Sequence, residues 1–495
     1  MTQRARGLLV AGTASDAGKS LVTAGICRWL ARQGISVAPF KAQNMSNNSM
    51  VCPDGAEIGR AQWVQALAAG ITPEAALNPV LLKPGSDLRS HVVLMGQPWG
   101  DLGSGEWASA RRELAQAAYS AFRDLASRYD VVVAEGAGSP AEINLREGDY
   151  VNLGLAREMD LPMVVVGDID RGGVLAAMYG TLAILDPADQ AVIAGWVVNK
   201  FRGHLGLLEP GLRMLEERTG RPVLGVLPYL PGVWLDSEDS LALAHLPQAR
   251  PPGPGRLSVA VVRLPRVSNA TDIDAVAGEP GVEVVVTTDP RVVAGADLAV
   301  IPGSRSTLAD LAWLRRTGLA DAVAARAAQG RAVLGICGGY QMLAGTIRDP
   351  DGVEGSPGAV AEGLGLLPVE VTFAVEKALG TPSTTWRGQP VSGYLIHHGR
   401  STIRWDVTPP GGGARPFLDG VEAGAVFGTM WHGAFECDGF RRAFLAGVSE
   451  DAGTGWAPDP GAPAFAQARE RMLDTLADAI AEHLDTVALA RIIGL

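Results

Sequence analysis

Cysteine is scarce in this chain, and the few present show no pairing pattern. Cys27, Cys52, Cys337 and Cys437 form no C-x-x-C pair and no metal-finger spacing. Such usage argues against a disulfide scaffold or a zinc finger and suits a reducing compartment, so a cytoplasmic location is expected. Positive charge is also short: 42 Lys and Arg against 53 Asp and Glu leave a formal charge of −11. That balance argues against general nucleic-acid binding, while leaving room for a local basic pocket that takes an acidic ligand. No run approaches the ~20 apolar residues of a membrane helix, so no membrane partner is expected. The GLLVAG segment behind Arg4 and Arg6 is too short for a secretion signal and flows straight into a glycine loop. It reads instead as a first β-strand. Internal repeats and long low-complexity runs are absent.

Glycine, by contrast, is plentiful: 62 in 495 residues, with 47% of the chain apolar. That length predicts two large domains, and that composition suits α/β units with many tight turns. Apolar runs at 7–11, 35–40, 129–138, 161–170 and 192–200 alternate with helical patterns, the first helix spanning 19–33. Alternation of this kind predicts a parallel sheet covered on both faces, with ligands at the carboxyl ends of its strands. The stretch QARPPGPGR (248–256) is rich in proline and glycine and reads as a linker. A second strand series follows at 257–264, 282–288, 296–304 and 331–339. From about Gly352 the pattern turns loop-rich and antiparallel, with a strand at 365–373. The end of the chain has helical periodicity from Ala464 and is expected to pack as a C-terminal helix. The expected division is a domain at 1–247, the linker at 248–256, a second domain at 257–450 and a helical tail at 451–495.

Two motifs carry chemistry. GTASDAGKS (Gly12 to Ser20) ends in Gly18-Lys19-Ser20 between a strand and a helix. It departs from the strict phosphate loop by one residue, since Thr13 stands at the first glycine position. Backbone amides from Thr13 to Ser20, with Asp16 and Ala17 inside the loop, would cradle phosphates of ATP; Lys19 would reach the terminal oxygens. Ser20, Glu135 at the end of VVVAE, and Asp16 are the candidate Mg²⁺ ligands, because Mg²⁺ takes one or two carboxylates plus phosphate and water oxygens.

The second motif is Gly335-Ile336-Cys337-Gly338-Gly339. Small residues around Cys337 permit the sharp strand-to-helix turn that exposes a nucleophile, and the helix start favours the thiolate. Gly338, and Gly303 in the IPGS loop, are the candidate oxyanion donors. A thiol nucleophile wants a base, and His397, His398 and His432 are available; the FGTMWHG context favours His432.

These strings together resemble a known family. The C-terminal half is similar to glutamine amidotransferase domains with a cysteine nucleophile, in the cobyric acid synthase branch. The N-terminal half resembles dethiobiotin-synthetase-like ATPases. The most specific string is KAQNMSNNS (41–49), and EGAGSPAEINL, GDIDRGG, NKFRG, GVLPYL and SNATDID follow in order. The resemblance implies an α/β protein with an N-terminal P-loop parallel-sheet domain and a C-terminal class I amidotransferase-like domain. It implies ATP, Mg²⁺, L-glutamine and an adenosylated corrinoid acid as cofactors and substrates, with ammonia travelling between the domains. It makes Lys41, Gln43, Asn44, Asn47, Asn48, Asp168 and Arg171 candidates for gripping the corrinoid, and Asn199 and Pro228 candidates for the adenine. Relatives carry a glutamate two residues after the histidine; here Ala434 stands there. The resemblance therefore implies a Cys–His pair without an orienting acid, with Glu436 the nearest substitute. A sister enzyme amidating the a and c arms, an amidotransferase acting on a cell-wall or nucleotide substrate, and a regulatory P-loop ATPase are the competing readings. The last has no use for Cys337, and its second loop lysine is missing from positions 12–17. None of these patterns specifies an oligomeric state.

Overall fold

In the computed structural model, residues 6–84, 89–103, 107–233, 255–409 and 412–495 are described. Most of the proline-rich stretch 248–256, up to residue 254, lies outside them. The chain divides into two compact units that alternate along the sequence. One comprises Met1–Ser46, Cys52–Asp236 and Arg469–Leu495; the other comprises Asn47–Val51 and Ser237–Ala468.

The first unit is organised by short, fully apolar runs that bury both faces, as parallel strands do. Six strands form its main sheet: β1 (Gly7–Gly12), β2 (Val37–Phe40), β3 (Val131–Glu135), β4 (Met163–Asp168), β5 (Ile193–Phe201) and β6 (Val223–Pro228). Their spatial order is β6-β5-β4-β1-β3-β2, and every pairing is parallel. The register sets Val10 beside Glu135 and Asp168 beside Asn199, so the polar residues of several motifs share the carboxyl edge. Helix α1 (Lys19–Arg32) starts at Gly18, whose φ of 96° is a left-handed value that glycine adopts without strain. Val22, Ile26 and Leu30 of α1 bury against the sheet face carrying Leu8 and Val10.

The C-terminal stretch packs as a helix, as its periodicity predicts, and it packs on this first unit. Met472, Leu473, Leu476, Ile480, Leu484 and Leu489 join the same core as Leu8 and Val22, and Arg28 bonds Asp474 at 2.9 Å and Glu470 at 2.8 Å. Part of the asparagine-rich string is itself a strand: Gln43–Met45 pairs in parallel with Val80–Pro84. Its buried position is filled by Asn44 rather than an apolar residue, so no hydrophobic alternation announces it.

The second unit has a seven-stranded sheet built from β7 (Leu257–Val262), β8 (Val282–Thr287), β9 (Leu298–Ile301), β10 (Ala332–Ile336), β11 (Ala414–Phe417), β12 (Gly420–Ala423) and β13 (Val426–Thr429). The order is β8-β7-β9-β10-β13-β12-β11, parallel through β13 and antiparallel beyond. A separate four-stranded sheet holds Val369–Gly380 against Leu395–Ile403. The unit's candidate site residues follow the carboxyl ends of β7, β9, β10 and β13.

Candidate functional site

In the first unit the phosphate loop is closely supported from the neighbouring strands. Asn199 Nδ2 donates to the carbonyl of Ala17 at 3.0 Å, and a Cβ on Gly18 would fall 2.0 Å from that same Nδ2. Glycine is thus required at position 18 by contact as well as by conformation. Lys19 Nζ donates to the carbonyls of Ala14 and Gly138 at 3.0 and 3.1 Å, which sets the ammonium within the curl of the loop. Thr13 N bonds the carbonyl of Val166, extending the edge of β4.

Behind the loop lies a buried polar cluster centred on Glu135. Its Oε1 accepts from Ser20 Oγ at 2.8 Å and Lys41 Nζ at 2.9 Å, and its Oε2 accepts from Gln65 Nε2 at 2.6 Å. Burial pushes the carboxyl up, but the Lys41 ammonium and the three hydrogen bonds outweigh it and hold the group below the ordinary carboxylate range. Ser20 and Glu135 offer oxygen donors only, a set that fits Mg²⁺. Asp16 is turned elsewhere: its carboxylate faces Arg171 Nη2 at 3.4 Å. Lys200 Nζ bonds both the Asp16 carbonyl and Asp168 Oδ2, each at 2.8 Å, so Asp16, Asp168, Arg171 and Lys200 form one group beside the loop. Pro228 ends β6, in register with Phe201.

The asparagine-rich string is mostly turned inward. Lys41 is committed to Glu135, Asn44 Nδ2 donates to Gln62 at 2.9 Å, and Gln43 Oε1 accepts from the Tyr150 hydroxyl. Asn48 belongs to the second unit, where its Oδ1 accepts from Ala270 N at 3.1 Å; Asn47 is half-buried there. Arg171 is exposed and Asp168 is half-buried. Of the seven residues expected to grip a substrate, Lys41, Asn44 and Asn48 are buried.

In the second unit Cys337 has φ 50° and ψ −108°, between β10 and helix α2 (Gly338–Leu343). A left-handed φ at a non-glycine residue is strained, and it is the backbone form a nucleophile elbow needs. Cys337 N bonds the Thr429 carbonyl at 2.8 Å, tying the elbow to the end of β13. The loop after β9 lies directly on the elbow: a Cβ on Gly338 would fall 2.6 Å from Ser304 N. The backbones of Gly303 and Gly338 thus border the thiol from two elements.

His432 is the histidine next to Cys337. It is 1% exposed, its ring stacks on Tyr394 at 5.4 Å, and His432 and Tyr394 exchange backbone hydrogen bonds. His398 Nδ1 bonds the Ala374 carbonyl. His397 Nδ1 bonds the Gly399 carbonyl, and burial lowers His397 to about 4. His432 behaves in the opposite way. Burial pulls its pKa down, but the charges of Asp272 and Cys337 and their hydrogen bonds raise it to about 10. The partner at Nδ1 is Asp272 Oδ2 at 2.7 Å, and Asp272 Oδ1 accepts from Gly433 N at 2.7 Å. Glu436, the substitute suggested by spacing, does not hold Nδ1.

Sequence reasoning missed Asp272, Gln65 and Lys200. Asp272 and Lys200 lie inside quoted strings, SNATDID and NKFRG. Gln65 sits on a helix, Arg60–Ala69, with no motif around it.

Comparison with known proteins assigns both units. Residues 8–242 match the CobQ/CobB/MinD/ParA nucleotide binding domain, and residues 258–440 match the CobB/CobQ-like glutamine amidotransferase domain. A cobyric acid synthase of Mycolicibacterium vanbaalenii is 62% identical over 489 residues, covering 98% of this chain and 96% of that one. One from Cutibacterium acnes is 59% identical over 480 residues, covering 97% and 98%. One from Mycobacterium tuberculosis is 60% identical over 489 residues, covering 98% and 96%.

Proposed function

The chain belongs to the cobyric acid synthase family, and from that premise we propose that it amidates the b, d, e and g carboxylates of adenosylcobyrinic acid a,c-diamide, with ATP activating each acid and glutamine supplying the nitrogen. The observation that carries the reading is the presence of two unlike sites in one chain: Gly18-Lys19-Ser20 against Glu135, and Cys337 beside His432.

A carboxylate is a poor electrophile with no good leaving group. Transfer of the γ-phosphoryl of ATP to its oxygen gives an acyl phosphate, from which phosphate departs when ammonia attacks. Lys19 and the loop amides offset the charge on the transferred group. Ser20 would hold Mg²⁺, with Glu135 orienting it from behind; the ion supplies further neutralisation of phosphate charge. In the other unit the Cys337 thiolate attacks the glutamine amide carbon, and the C–N bond breaks as His432 gives its proton to the leaving nitrogen. Gly303 and Gly338 face the oxyanion. Water then cleaves the thioester, returning glutamate and the thiol. Ammonia is mostly protonated in neutral water, which favours its delivery to the acyl phosphate without release to solvent.

The test is mass spectrometry of the corrinoid diamide incubated with ATP, Mg²⁺ and amide-¹⁵N glutamine. Four successive conversions of carboxylate to labelled amide are expected. An unaltered corrinoid alongside active glutaminase would redirect the search to another carboxylate.

A further inference from the structure

His432 needs a group that holds its ring in the orientation that turns Nε2 toward Cys337, and the residue two places downstream is Ala434, which has nothing to offer. We propose that Asp272, on the turn after β7, is the positioning residue of the glutaminase site, fixing the His432 ring and balancing its charge when it is protonated.

The geometry is that of a working orienter. Asp272 is buried beside a buried histidine, and both its oxygens are used: Oδ2 on His432 Nδ1 and Oδ1 on Gly433 N, each at 2.7 Å. Gripping ring and adjacent backbone together removes the freedom of His432 to rotate about its side-chain bonds. With Nδ1 engaged, Nε2 is left for proton transfer; among the described residues it makes no hydrogen bond of ordinary length, and the Cys337 thiol is the acidic group beside it. A catalytic imidazole held by a buried carboxylate at its far nitrogen keeps the right tautomer and carries charge at less cost.

The turn that presents Asp272 is itself pinned. Asp272 N bonds the Asn269 carbonyl at 3.1 Å, and Asn269 has a left-handed φ of 50°. Ser49 N donates to Asn269 Oδ1 at 2.9 Å while Ala270 N donates to Asn48 Oδ1 at 3.1 Å, a reciprocal pair that locks the turn to the five-residue segment 47–51. On its other side Ser268 N bonds the Gly303 carbonyl at 2.9 Å, and a Cβ on Gly303 would lie 3.0 Å from His432 Cε1. One turn therefore sets both the base and the loop that borders the oxyanion.

The inference rests on the reading that Cys337 and His432 hydrolyse glutamine, and the two can fail separately. The experiment is the pH profile of glutaminase kcat in the full-length enzyme, with amidation supported by ammonium salts as the check on the first unit and thermal unfolding as the check on the fold of the second. The charged or titratable groups facing His432 are Asp272, Cys337, Tyr394, Asp419 and His397, of which His397 stays neutral above about 4. Asp272→Asn is expected to lower kcat by about 10²–10⁴-fold, to leave the glutamine KM within about twofold, and to keep ammonium-supported amidation. Its alkaline limb, where His432 loses its proton, should move to lower pH. Asp272→Glu keeps the charge and should hold the limb near the wild-type position, and it is the variant to read if Asp272→Asn does not fold. Glutaminase unchanged in Asp272→Asn, a lower amplitude with an unmoved limb, or a displaced limb in Asp272→Glu would each overturn the proposal. Glutaminase surviving in Cys337→Ala would instead overturn the reading beneath it.

Discussion

Asp272 Oδ2 lies 2.7 Å from His432 Nδ1 across 160 residues of sequence. The pair joins the turn after β7 to the end of β13, and with Cys337 after β10 it spans three strands of one sheet. The proposed glutaminase site is therefore assembled at the sheet edge and not by any single motif.

Replacing Cys337 with alanine is expected to abolish glutamine-supported amidation, a loss on the order of 10⁴-fold or more. Amidation from ammonium salts should persist, because the phosphate loop belongs to a different unit. Both rates can be read from one product assay run with glutamine or ammonium. Equal loss with the two nitrogen sources would mean that Cys337 serves more than glutamine hydrolysis.

Lys41 and Glu135 form a buried ion pair with side chains 3% and 0% exposed. Lys41→Met leaves the carboxylate uncompensated and should destabilise the first unit by about 3–5 kcal/mol. The double variant Lys41→Met/Glu135→Gln should lose less, since neither charge remains. Because Glu135 titrates below its ordinary value, near 4.3 in an unfolded chain, its contribution is complete above that value and is lost as pH falls through the lower folded value. Denaturant unfolding of the three proteins between neutral and acid pH checks both points.

His432 has the opposite sign. Its folded pKa is raised to about 10 from about 6.5 in an unfolded chain. Its stabilisation is fully present below the unfolded value and is lost as pH rises through the folded one. The stability difference between wild type and His432→Gln should shrink steadily from neutral pH to about 10. A difference independent of pH would mean that the imidazole is neutral in the folded protein.

Leu473 is fully buried in the core shared with Leu8, Val10 and Val22. Leu473→Ala should cost about 2–5 kcal/mol, read as a shift in the unfolding of the nucleotide-binding unit. Glutaminase activity should be retained under conditions where that unit is still folded. Wild-type stability in this variant would mean that the C-terminal helix contributes little to the core.

Most parallel strands of the two large sheets were legible because such buried strands are written as continuous apolar runs: GLLVAG, VVVAE and AVLGI are each strand and sheet edge at once. Gly18-Lys19-Ser20 and the glycines around Cys337 were equally plain, because a phosphate cradle and an elbow impose backbone demands that few residue types meet. Asp272 was not plain. An acidic residue in a short turn looks like any other until folding brings a histidine to it, and the position two residues after His432 holds Ala434. The inward turn of Lys41 and Asn44 was hidden for a related reason. A polar string reads as solvent-facing or ligand-facing, and only the positions of Glu135 and Gln62 reveal that its partners are internal.

The segment 47–51 belongs to the amidotransferase unit although its flanks belong to the nucleotide unit, and residues 469–495 return to the nucleotide unit after the amidotransferase unit is complete. The consequence is genetic. A reading frame broken between the two domains would yield one product without its closing helices and another without the 47–51 segment that braces Asn269. Such halves are poor material for recombination with other ATPases or other amidotransferases.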